Sequence, residues 1–177
     1  MQVQTKTYID VATRSRELGH RVPVGIALLP GNFSTAAHAG QFCYHAATPH
    51  VRSAWKSAGL EDEGPEARES VELGTKDLEL GTSLVPVALA VFFGADFLAG
   101  PPWRLTVALG MVSSVLASHA RRASPRDVRL NVVVERPGER GYACIEYRGD
   151  AFGIVALVRE VRRVWSDVSE KRKCAQT

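Results

Sequence analysis

The chain has 177 residues, of which 45% are hydrophobic and 23% charged, and a formal net charge of +3. That length allows one domain with a real core, or a small domain joined to a short membrane segment, and little more. The weak positive charge, with no arginine-rich helix or aromatic-basic platform, argues against a nucleic-acid partner, and three cysteines at no metal-like or disulfide-like spacing suit a reducing compartment.

Mean hydropathy is −0.07, ordinary for a globular protein, but the average conceals three contrasting stretches. Acids crowd residues 61–79, residues 84–120 hold two full charges, and basic residues dominate from Arg121 to Lys173. The opening MQVQTKTYIDVATRSREL contains no apolar core of a secretory signal, so the parts outside any membrane segment are expected in the cytoplasm.

Asp10 is positioned to cap a short helix running from Val11 to Leu18, with Gly19 just past its end. VPVGIALLP, from Val22 to Pro30, reads as a buried strand because Gly25 and its prolines punctuate a short apolar run. Ser34 then opens an expected helix over STAAHAGQFCYHAA. The intervening LLPGNFS is a strand-to-helix turn that lacks the glycines of a phosphate-binding loop. Thr48 and Pro49 start a further helix, with Val51, Ala54, Trp55 and Ala58 on one face and Gly59 as its stop. Residues 61–81 have the composition of a solvated acidic connector.

Two apolar blocks follow, from Thr82 to Gly100 and from Trp103 to Ala120, separated by a Gly-Pro-Pro turn. As helices they would reach about 28 Å and about 27 Å, just under the ~30 Å of a hydrocarbon core. The leading expectation is a two-helix membrane hairpin with Asp96 and Arg104 as its embedded polar residues. Trp103, Arg121, Arg122 and Arg126 would anchor it at the interface, and the arginines beyond the second block would place both termini in the cytoplasm. The alternative is a soluble core in which the rest of the chain wraps the same hairpin.

The clearest pattern lies beyond it. DVRLNVVVE puts Val128, Leu130, Val132 and Val134 on one side of a strand, RPGER supplies a turn, and YACIEY returns. Asp150 then caps a helix along which Phe152, Val155, Val158, Val161, Trp165 and Val168 recur at helical spacing, opposite Arg159, Arg162 and Arg163.

Candidate chemistry is sparse. His38, Cys43, His45 and His50 are potential metal ligands by type, yet their spacing matches no closed zinc motif, and Cys43 falls off the helical face that His38 and His45 would share. No cofactor is expected, and the residues point away from an enzyme. The order of parts resembles compact bacterial membrane proteins, without a motif that assigns a family or a residue role.

These observations predict an α+β chain in four segments. Residues 1–60 form a small α/β head, 61–81 the acidic connector, 82–120 the apolar hairpin, and 121–177 a β-hairpin packed on an amphipathic helix. The expected role is that of a non-enzymatic bacterial protein anchored in the cytoplasmic membrane, acting in sensing, scaffolding or membrane perturbation. Its partners would be the lipid bilayer and either another protein or a second copy. The alternative is a cytoplasmic α+β binding or regulatory module using the apolar segment as core or homodimer interface.

Overall fold

The computed structural model describes residues 2–65, 88–120, 128–136 and 141–174. Its strands are β1 (Gln2–Tyr8), β2 (Ile26–Leu29), β3 (Leu89–Phe93), β4 (Val128–Arg136) and β5 (Gly141–Gly149). Its helices are α1 (Val11–Glu17), α2 (Thr48–Ser57), α3 (Ala95–Leu98), α4 (Pro102–Ala120) and α5 (Leu157–Cys174), with 3-10 turns at Ala39–Gln41 and Ala151–Ala156. The strands form one sheet in the order β1-β5-β4-β3-β2. Only β3 and β4 run parallel; the other neighbours are antiparallel. The segments expected as head, hairpin and tail thus all contribute strands to one sheet.

The first apolar block is therefore no membrane helix. Leu89-Ala-Val-Phe-Phe93 is a central strand buried on both faces, which is why it reads as an unbroken apolar run rather than an alternating one. Gly94 ends it because the backbone just before β2 passes too close for a side chain: a Cβ there would lie 2.1 Å from the Val24 carbonyl oxygen.

The second block is a helix, α4, but polypeptide covers its apolar face. Leu105, Ala108, Leu109, Val112 and Leu116 point into the core while Thr106, Ser114 and Ser118 meet solvent. Among the described residues no helix is long and apolar enough to cross a membrane. The expected two-helix anchor is corrected accordingly: α2 and α5 enclose α4, a supply of cover that their single apolar faces concealed.

Two helices pin α4 with specific bonds as well as packing. The fully buried Trp55 of α2 donates its indole N–H to the Ala108 carbonyl at 3.2 Å. Ser113 donates to the Ala151 carbonyl at 2.6 Å, fastening the 3-10 turn that leads into α5. Together α2, α4 and α5 cover one face of the sheet, on which Ile26, Val91, Leu130, Val132 and Ile145 lie. Each such side chain contributes about 1.5–3 kcal/mol by burial.

The other face is only partly covered. There α1, Phe33 and Phe42 close over Ala27, Phe92, Val133, Tyr142 and Cys144. Asp10 caps α1 as expected, accepting from the Thr13 N–H at 3.0 Å. The helix expected from Ser34 is absent; that stretch is a loop containing the turn Ala39–Gln41, held by Asn32 and Gln41 side chains that bond its backbone. β1 carries no sequence expectation, because its residues are nearly all polar and exposed.

The β2 edge is closed by the start of the acidic segment. The Glu63 N–H donates to the Ile26 carbonyl at 2.9 Å, and the Asp62 carboxylate accepts from the Leu28 and Gly64 N–H groups at 2.8 and 2.9 Å. In the tail, β4 and β5 pair as expected, and Asp150 caps the following turn through the Gly153 N–H.

Candidate functional site

Pairing register places polar side chains in rows across the uncovered part of the second face. Gln4, Glu146 and Asn131 are direct neighbours on β1, β5 and β4, and Gln2, Arg148 and Arg129 form the next row. Period-two alternation puts all six on the side opposite Leu130 and Ile145. They floor an open groove of about 570 Å³.

Gly31, Asn32 and Cys43 form its wall. Asn32 shapes that wall: its carbonyl oxygen accepts from the Cys43 N–H at 2.9 Å and its amide donates to the Gln41 carbonyl at 2.7 Å. Gly31 adds a backbone bond to the Cys43 carbonyl at 2.8 Å. A loop tied to itself in this way holds its edge against the sheet without a helix.

The groove is rich in donors. Arg129 and Arg148 sit directly opposite each other on adjacent strands and both line the groove. Arg129 makes no ion pair or hydrogen bond among the described residues, and neither do the side-chain amides of Gln2, Gln4 and Asn131. The carboxylate in the groove is neutralised: Glu146 pairs with Lys6 at 2.5 Å, a hydrogen bond that raises the lysine above its ordinary value. Cys144, beneath the adjoining covered part, is buried, and desolvation pushes its thiol up to about 11. At neutral pH it is a packed apolar group rather than a nucleophile.

The residues singled out from sequence lie elsewhere. Asp96 is exposed and Arg104 half-buried, and both line a separate surface groove of about 320 Å³ with Glu61, Glu63 and Val24. The Arg104 guanidinium stacks 5.0 Å from the centre of the Phe97 ring. Neither residue lies in a helix long and apolar enough to cross a membrane; they flank the turn between α3 and α4. Trp103 is 59% exposed at the start of α4, whereas Arg121, Arg122 and Arg126 lie outside the described residues.

The metal candidates also disperse. Among the described residues no group of three or more His, Cys, Asp or Glu is placed to hold a metal ion. His38 is exposed on the loop, and Cys43 joins the groove wall. His45 uses its Nδ1 to accept the Ala47 N–H at 3.0 Å, at the approach to α2. Burial, and secondarily the charge of nearby His119, holds its imidazole below the usual value. His50 instead stacks near His119 of α4, ring centres 5.0 Å apart.

Sequence reasoning missed the groove because its floor joins β1 to β4 and β5, which follow it by more than a hundred residues. A signal was present: Arg129 and Asn131, like Glu146 and Arg148, occupy the outward positions of alternating strands. Compared with known proteins, the chain gives no match to a family model, a curated sequence or a solved structure.

Proposed function

We propose that the chain is a non-enzymatic binding module whose open groove takes a small anionic ligand. The observation that carries this reading is the Arg129 guanidinium, which lines the groove and makes no ion pair or side-chain hydrogen bond among the described residues. An anion seated against the Arg129 guanidinium gains charge-assisted, two-pronged hydrogen bonds. The amides of Gln2, Gln4 and Asn131 provide neutral donors around the same position, and they also offer carbonyl acceptors for hydroxyl groups. The groove's volume falls within the range of about 300–1,000 Å³ common to small-molecule sites. In this reading the apolar midsection serves as core, and the chemistry of the groove is recognition rather than turnover: its lining includes no histidine, and its carboxylate is held by Lys6.

Isothermal titration with inorganic phosphate and with citrate, and glycerol as a neutral control, tests the reading. Saturable binding of an anion is expected, weakened at least about tenfold, or about 1.4 kcal/mol, by Arg129→Ala with the melting temperature unchanged. Absence of saturable binding by both anions would refute it, as would equal affinity in the variant.

A further inference from the structure

The two edges of the sheet are finished differently. Asp62 and Glu63 close β2, whereas among the described residues nothing pairs with the outer side of β1. An open edge presents a row of backbone donors and acceptors, and proteins ordinarily guard it with charge, proline, a bulge or a covering segment. β1 has none of these guards in effective form. Its seven residues, QVQTKTY, contain no proline or glycine, and its one charge, Lys6, is held in the pair with Glu146. Val3 meanwhile stands 37% exposed on the face that carries α5.

We propose that β1 pairs antiparallel with β1 of a second copy, about a two-fold axis perpendicular to the sheet and passing through Thr5. Such an axis keeps each face continuous across the junction, so opposed residues must share a face and the centre must fall on a residue. Centring on Lys6 opposes two ammonium groups, and centring on Gln4 leaves the last two residues of the strand unpaired. Centring on Thr5 uses the whole strand. Gln2 then faces the partner's Tyr8, Val3 faces the partner's Thr7, Gln4 faces the partner's Lys6, and the two Thr5 residues face each other. No like charges meet, and Val3 gains a β-branched neighbour. Because Gln2 and Gln4 line the groove, the two grooves open toward the axis. The inference rests on the strand edge and does not require the ligand reading.

The test uses the full chain without added anion. Light scattering coupled to gel filtration at about 100 µM is expected to give twice the chain mass of 19.2 kDa, falling toward the monomer on dilution. Val3→Lys/Thr7→Lys opposes ammonium groups on both sides of the axis and is expected to yield a monomer with unchanged circular dichroism. Hydrogen exchange on the unmodified chain provides the second measurement: outward β1 amides should become protected as concentration rises. A monomeric mass at about 100 µM overturns the proposal, as does a dimer without concentration-dependent protection of β1. A dimer that survives the double substitution in folded form also overturns it; if the variant fails to fold, the exchange measurement decides.

Discussion

Asp62→Ala is expected to destabilise the protein by about 3 kcal/mol, although the residue lies outside every strand and helix. Its side chain is 5% exposed and serves three donors: the Leu28 and Gly64 N–H groups through Oδ1, and Arg52 Nε at 2.5 Å through Oδ2. Leu28 is fully buried, so stranding its N–H costs about 1–3 kcal/mol, and the half-buried Gly64 adds a smaller amount. Arg52 is 34% exposed and can rehydrate, which limits the ion-pair share to under ~1 kcal/mol. Asp62→Asn retains an oxygen for both backbone N–H groups but gives up the charge and the bond from the partly exposed Arg52 Nε, which its amide nitrogen cannot accept, a loss of about 1 kcal/mol. With a urea slope of about 2 kcal/mol/M, the unfolding midpoint should fall by roughly 1.5 M for alanine and roughly 0.5 M for asparagine. The reasoning is refuted if alanine shifts the midpoint by less than about 0.3 M, or if asparagine is as damaging as alanine.

Three further outcomes follow from the packing. Gly94→Ala should cost about 2–3 kcal/mol, because its Cβ would meet the Val24 carbonyl at 2.1 Å and the backbone at Val24 and Gly25 must retreat; chemical denaturation showing a change below about 0.5 kcal/mol would contradict this. Ser113→Ala removes the 2.6 Å bond to the buried Ala151 carbonyl and should cost about 1–2 kcal/mol, with faster amide exchange in the 3-10 turn before α5. His45 is held below its ordinary value in the folded state, so the unfolded chain takes up the proton first as pH falls. The stabilisation from its neutral ring is complete above about pH 6.5 and is lost as pH drops through the folded-state value. Melting temperatures measured from about pH 7.5 to about pH 5 should therefore decline, and the decline should be shallower in His45→Asn, whose oxygen replaces Nδ1 without titrating.

The tail of the chain was the most legible part, and the reason is physical. On β4 the residues Leu130 and Val132 face a continuous core while Arg129 and Asn131 face the uncovered groove, so burial alternates and the sequence alternates with it. Where α1 and Phe33 cover the second face, β4 continues as Val132-Val133-Val134 and the alternation disappears. The same double coverage erased it altogether from β3, leaving an apolar run that hydropathy alone assigns to a helix in lipid. Branched and aromatic residues at Val91, Phe92 and Phe93, followed at once by Gly94, were the local evidence for a short strand. The helix of the second apolar block was readable, but its cover was not, since that depends on how α2 and α5 converge from opposite ends of the chain. The groove was less legible still: each strand shows its polar residues, but only the register brings Arg129 opposite Arg148.

The pairing of β1 with β5 sets a timetable for synthesis. Residues 2–8 leave the ribosome long before their sheet partner, residues 141–149. At elongation rates of about 5–20 residues per second, β1 waits roughly seven to thirty seconds for its mate. During that interval its polar composition has a use that the finished fold hides: a strand built from glutamine, threonine and lysine can linger in water without sticking to the greasy segments that emerge behind it.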